Sequence, residues 1–305
     1  MPNAGSVQKI TSSQMKELCS ASQQSVPTDL PFAVADYWEH NKGELVRKFQ
    51  AVLRSAPVNI ESLVLTKIVA DCQRALRHMF GRRCPEVGPL PASVTEERLE
   101  FWGRYNMRPV WFPELDLTED ARLPKRWVRP EAWYYRKLRE GKIGETIKDI
   151  PPTKIRPGWY LADFSVGADY TDGTQVFPND PFAPLFERLR KEKLVGKHEE
   201  TPMGSRFAIT HDEWVQTILT YMASELGFPR ANLRLERASE FNAIGNIYDP
   251  DRGKFNAWVW FADSFVDSDR LVGGGRGHGG LAHVHSFWHD RRIRDIAGRP
   301  LVSLL

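Results

Sequence analysis

The sequence predicts an α+β protein, with a mainly helical N-terminal region ahead of a mixed C-terminal domain. Apolar residues recur at helical spacing from about residue 31 to 150. The texture then changes at the proline-rich "DIPPTKIRPG". After Pro229 come short runs rich in Trp, Phe and Val, broken by Asn, Asp and Gly. A chain of 305 residues, 41% hydrophobic and 27% charged, is long enough to bury a sizeable core and has an ordinary globular composition.

Residues 1–30 are rich in Ser, Gln and Pro and are expected to form a flexible tail. In "YWEHNKGELVRKFQAVLRSA", Leu45, Phe49, Val52 and Leu53 share a helical face. In "NIESLVLTKIVADCQRALRHMFG", Ile60, Leu63, Ile68 and Leu76 do the same, and Gly81 is a C-terminal stop. "SVTEERLEFWGRYN" opens with a hydroxyl cap and an acidic first turn. "RPEAWYYRKLREG" runs from Pro130 to Gly141, the expected asymmetry of helix ends. No convincing strand interrupts 31–150. The aromatics there (Trp102, Trp111, Trp127, Trp133, Tyr134, Tyr135) are expected to pack in cores rather than meet a ligand.

Residues 151–305 are expected to form the second domain. "WYLADFSV" reads as a strand and "DPFAPLFERLRKEKLVGK" as an amphipathic helix. "ITHDEWVQTILTYMASELGF" reads as a second helix, with a capping box at Thr210 and Glu213 and a stop at Gly227. "KFNAWVWFADSF", "DRLVGGG", "LAHVHSFW" and "RPLVSLL" read as strands. His211, Asp212 and Glu213 look like a catalytic triad fragment on paper, but acids in a first helical turn are accounted for by the helix dipole.

A net charge of +3 gives no warrant for a nucleic-acid or membrane partner. Cys19, Cys72 and Cys84 lack metal-ligand spacing and read as free thiols in a reducing compartment. The N-terminus has no apolar core of signal-peptide length and no segment reaches transmembrane length, so the default location is cytoplasmic.

Chemistry-bearing residues concentrate near the end of the chain. Of eight histidines, His278, His283, His285 and His289 fall within "RGHGGLAHVHSFWHD". They invite a metal site, but neighbouring Arg291, Arg292 and Arg294 would repel a cation. A basic-aromatic nucleic-acid patch is disfavoured, because Asp290 and Asp295 dilute the arginines of 276–295 to a net +2. "GGGRGHGG" lacks the Lys-Ser/Thr and the helix start of a phosphate loop. A plain solvated loop is a further reading.

The order of motifs in the C-terminal half carries a resemblance. Ser239-Glu240-Phe241 is followed by Asn256-Ala257-Trp258-Val259-Trp260, then by Arg270 with Gly273-Gly274-Gly275, and at the end by Gly298-Arg299-Pro300. This resembles the C-type lectin-like fold shared by formylglycine-generating enzymes and the variable proteins of diversity-generating retroelements, over about 155–305. Val259 stands where that pattern has an acidic residue, and the closing motif lacks its aromatic. The enzyme branch of the resemblance implies a cysteine pair, and no cysteine follows Cys84. Related iron sulfoxide synthases imply a helical histidine set, whereas the N-terminal region offers only His40 and His78, without His-x3-His spacing.

The binding branch implies a ligand face on the last strands and loops, diversified by substitution at template adenines. Such substitution cannot create Lys, Glu, Gln, Met or Trp from adenine-adenine-pyrimidine codons. From Arg270 to Gly298 there is no Lys, Glu, Gln or Met, where about five would be expected from average composition. The expectation is a non-catalytic binder without a cofactor or metal, with a variable region about 270–298 and a protein or other macromolecule as ligand. Its expected contacts are Arg276, His278, His283, His285, Phe287, His289, Asp290, Arg291, Arg292 and Arg294. Its expected scaffold is Trp258, Trp260, Gly273, Gly274, Gly279, Gly280, Trp288, Gly298 and Arg299. Along "LAHVHSFW", alternation puts His283, His285 and Phe287 on one face and Ala282, Val284, Ser286 and Trp288 on the other. Gly279-Gly280 would make a tight turn before Leu281, a buried anchor. The alternative is a metal-dependent enzyme of the same fold using His278, His283, His285 and His289.

Overall fold

A computed structural model describes residues 60–144, 147–167, 177–254, 257–266, 269–274 and 280–304, together with Glu44, Arg47 and Lys48. The chain divides into two compact units, Met1–Asn59 and Ile60–Leu305. In the first, the described residues are helical, and Lys48 pairs with Glu44 one turn away at 3.0 Å. The expected tail at 1–30 and the face of Leu45, Phe49, Val52 and Leu53 lie outside the described residues.

The second unit is a mixture of helix and sheet, as the patterning predicts. Helix α1 (Ile60–Phe80) buries Cys72, Leu76 and Met79 and stops where Gly81 takes φ +59°. Cys72 and Cys84 are free thiols, and burial pushes the Cys72 thiol up to about 11. Helix α2 (Glu96–Gly103) begins at Thr95, whose hydroxyl accepts the Arg98 amide, and it buries Trp102. Helix α3 (Ala132–Arg139) buries Tyr134 and Tyr135.

The N-terminal region is not purely helical. It contains strands β1 (Met107–Phe112), β2 (Leu115–Asp116) and β3 (Ile143–Gly144). "MRPVWF" carries a proline that masked its strand character, and the structure accommodates it at the edge of a sheet. The expected boundary near residue 150 is not a boundary of packing. β1 pairs antiparallel with β5 (Gly158–Asp163), and β2 with β4 (Lys154–Ile155).

Two sheets carry the rest. The first has the order β1-β5-β11-β6, with β6 (Leu233–Leu235) and the terminal strand β11 (Pro300–Leu304) antiparallel to their neighbours. The second has the order β10-β7-β8-β9, from β7 (Trp258–Phe265), β8 (Asp269–Gly274), β9 (Val284–Trp288) and β10 (Ile296–Gly298). β3 also pairs with β7, and β10 runs parallel to β7. β9 is therefore an edge strand.

Helix α4 (Ala183–Lys191) buries Leu185, Phe186 and Leu189. The next helix, α5, runs through His211–Glu213, a π-helical turn Trp214–Ile218, and Leu219–Leu226. Both of its predicted ends are present: the Thr210–Glu213 capping box, and Gly227 at φ 72°. Helix α6 (Ala238–Ile247) holds Ser239, Glu240 and Phe241, all buried.

The core is both aromatic and ionic. Trp214 and Trp260 are fully buried, and the Trp260 indole donates to the Ile209 carbonyl at 3.0 Å. Fully buried Arg206 makes two hydrogen bonds to Asp180, at 2.5 and 2.6 Å, and a third to Asp163. Burial pushes the Asp163 carboxyl up, but the Arg206 and Arg299 guanidiniums outweigh it and hold the group at about 2. Nearby, Arg252 grips Glu236 through two bonds of 2.7 and 2.8 Å.

Candidate functional site

The segment leading into β9 is clamped from two sides. Gly280 sits at φ +58°, and a Cβ there would lie 2.7 Å from the Gly253 carbonyl oxygen, so this turn takes glycine. Leu281 is half-buried against Gly245, and its carbonyl accepts from Asn242 Nδ2 at 3.0 Å. Asn242 in turn accepts the Trp127 indole N–H at 2.9 Å. Glu131 donates its amide to the Ala282 carbonyl at 2.8 Å and accepts the Val284 amide through its carboxylate at 3.1 Å. The start of β9 is thus fixed by α6 and by the residues just ahead of α3.

Along β9 the outward positions alternate with the inward ones. Val284 is buried with Val259, Phe261 and Leu271 beneath the sheet, while His285, opposite Val272, is exposed. His283 and Phe287 are half-buried. Trp288, expected as scaffold, is 48% exposed. It is the last residue of an edge strand, opposite Asp269, and is not part of that buried cluster.

Rings from three elements stack near His285, and two of them, Trp133 and Phe265, also pack against the cluster that holds Val284. Trp133 of α3 lies parallel to Phe265 of β7, with centroids 5.8 Å apart, and to His285 of β9 at 5.5 Å. His285 lies parallel to His283 at 6.5 Å, and His283 meets Trp258 edge-on at 4.7 Å. Trp102, Trp111, Trp127, Tyr134 and Tyr135 are buried as expected, but Trp133 is only half-buried.

The loop after β9 is tethered to the start of α5. The His289 carbonyl accepts the amides of His211 and Asp212, and the His289 ring lies 2.5 Å from the Asp212 carboxylate. Arg292 binds both oxygens of Glu213, at 2.7 and 2.8 Å, and donates to the Ala208 carbonyl. Burial works against ionisation of Glu213, but the Arg292 bonds and the Gly196 and Thr210 amides prevail and lower its pKa. Arg292 was expected as a ligand contact. Its side chain is instead spent within the fold, because Glu213 serves both as helix cap and as ion-pair partner. Arg294 pairs with exposed Glu200 at 2.6 Å, while Asp290 and Arg291 are exposed.

Beneath the tether, His211 is buried edge-on to Trp260. Burial pushes its pKa down to about 3, against a smaller opposing effect of the Phe261 backbone. Among the described residues, no group of three or more His, Cys, Asp or Glu is placed to hold a metal ion. Arg276, His278 and Gly279 lie outside the described residues.

Gly298 is buried in β10 against Trp214, and Arg299 is buried, donating to the Asp163 carbonyl at 3.2 Å. Gly273 packs against Phe261, Gly274 ends β8, and Trp258 is half-buried at the start of β7. Sequence reasoning missed Trp133, Glu131 and Asn242 as neighbours of the segment. "NAIGN" and "PEAW" carry no local signal of partners 39 and 153 residues away.

No family model matches this chain, and no match to it is found among curated proteins or solved structures. The arrangement itself is a rigidly held edge strand and loop whose exposed side chains are rings and mixed charges.

Proposed function

We propose that this is a non-catalytic ligand-binding protein. In this reading residues from about 155 to 305 form a C-type lectin-like domain, and its binding face, within 270–298, is diversified by a retroelement. One observation carries the reading. His285, Trp288, Asp290, Arg291 and Arg294 are exposed on a segment in which Val284 and Ile296 to Gly298 are buried and Ser286, Phe287, His289, Arg292, Ile293 and Asp295 are half-buried. Such a segment can change its outward residues without disturbing its packing. The pairing of β11 with β5 is consistent with the reading, because it holds the residues that follow the segment in a sheet. The vocabulary of the segment, free of Lys, Glu, Gln and Met, supports the diversification. Trp288, which adenine substitution cannot create, would be a constant exposed contact.

The locus provides the test. The expected finding is a near-copy of the 3′ coding segment beside a reverse-transcriptase gene, differing from it only at adenines. A locus with neither the copy nor the reverse transcriptase would remove the diversification from the proposal.

A further inference from the structure

We infer that the outer edge of β9, from Val284 to Trp288, takes an extended segment of a protein partner as an added strand, held by main-chain hydrogen bonds. The inference rests on the binding face proposed above and names how that face is engaged. β9 pairs with β8 on one side, and among the described residues no strand lies on its other side. Alternate residues of such a strand turn their amide and carbonyl outward. The Val284 amide marks which ones, because it meets the Glu131 carboxylate at 3.1 Å rather than β8. Ser286 and Trp288 therefore face the same way.

Upstream this edge is closed. Glu131 holds the Val284 amide and donates its own amide to the Ala282 carbonyl at 2.8 Å, standing where a neighbouring strand would. Downstream the chain turns away, since the Trp288 carbonyl accepts the Arg291 amide at 3.2 Å. Between these closures the Ser286 carbonyl is met by the His285 ring at 2.9 Å. Among the described residues, the Val284 carbonyl and the Ser286 and Trp288 amides have no partner outside the β8–β9 ladder. An acceptor followed by donors at strand spacing is matched by another polypeptide backbone. A phosphate chain could accept from the amides but has no proton for the carbonyl. A second copy of this chain matches the edge less well. A two-fold pair centred on Ser286 would set each Val284 against a Trp288, and the Val284 amide is already held. Main-chain groups also persist when side chains vary, so the same edge serves every residue but proline at 286 and 288.

The test uses peptides of about 12 residues, selected on the full chain from a random display library. Those whose binding falls with His285→Ala, Trp288→Ala or Arg291→Ala are kept. Each is remade with N-methyl groups on its odd or on its even amides. Strand pairing uses alternate amides of the incoming chain, so one set should lose roughly tenfold or more while the other stays within about threefold. Ser286→Pro removes an outward amide but leaves the bonds to β8, and should abolish binding while Ser286→Ala binds like the parent. Urea midpoints confirm that folded protein is being compared. If Ser286→Pro does not fold, the methylated peptides decide on the parent chain alone. Equal losses from the two methylated sets, or none, mean side-chain recognition; the inference then fails and the binding face stands. If no peptide can be selected, or none responds to the three alanine substitutions, both fail. A concentration-dependent dimer of the parent chain, abolished by Ser286→Pro, would assign the edge to a second copy and overturn the partner class.

Discussion

Arg292 and Glu213 are joined by a pair of hydrogen bonds, 2.7 and 2.8 Å long, that fastens the loop after the edge strand to the first turn of α5. The same carboxylate caps that helix by accepting the Thr210 amide at 2.9 Å. One side chain thus fixes both a helix start and the base of the candidate binding loop.

Arg292→Ala is expected to lower stability by roughly 1–3 kcal/mol, because it leaves Glu213 half-buried without its guanidinium. Arg291→Ala, at the adjacent but exposed residue, should stay within about 0.5 kcal/mol of the parent. Urea unfolding of the two variants checks the contrast. Equal effects would mean that the loop is not anchored as described.

Gly298→Ala should cost roughly 1–3 kcal/mol or more. A Cβ at that position would fall 2.4 to 2.7 Å from three atoms of the Trp214 indole, which is itself fully buried and unable to retreat. Thermal unfolding followed by tryptophan fluorescence would show the loss, and a neutral result would contradict the packing of β10 on α5.

Arg206→Leu is expected to cost about 3–5 kcal/mol, since it strands the Asp163 and Asp180 carboxylates in the core. Asp163 and Glu240 are each held at about 2 by guanidiniums that outweigh the effect of burial. Their folded values lie below those of the unfolded chain. Their contribution, roughly 2–3 kcal/mol each, is therefore present above about pH 4 and lost as pH falls toward 2. In Arg206→Leu, the part of this acid dependence due to Asp163 should shrink, which chemical denaturation between pH 2 and 5 would register.

His211 gives a second acid dependence with a higher onset. Its folded pKa, pushed down to about 3 by burial, lies below the unfolded value of about 6.5. The folded state therefore favours the neutral ring, and the contribution of His211 to stability declines as pH falls below about 6.5. His211→Leu should flatten the stability profile between about pH 6.5 and 4. A profile that keeps its slope would place the titration elsewhere.

Local signals written in the sequence were realised where the chain's own neighbours settle them. The Thr210–Glu213 box, the Gly227 stop, the Thr95 cap and the amphipathic α1 and α4 are decided within a few residues, by backbone groups that need partners and faces that need burial. The strand β1 was not legible, because Pro109 breaks its pattern and its partner β5 lies about fifty residues on. The expected boundary near residue 150 dissolved for the same reason, since sheet pairing joins both sides of it.

The candidate site divides the same way. The sequence by itself determined that imidazoles, arginines and rings crowd the segment 276–295, that glycines bracket it, and that Val284 alternates with His283 and His285. Tertiary structure decided which of these side chains are free to meet a partner. It ties Arg292 to Glu213 and stacks His285 on Trp133, and it leaves Trp288 exposed at the end of an edge strand. The reason is physical: alternation along a strand fixes which residues share a face. Whether that face is covered depends on helices brought alongside from as far away as α3 and α5, and no short-range pattern records their arrival.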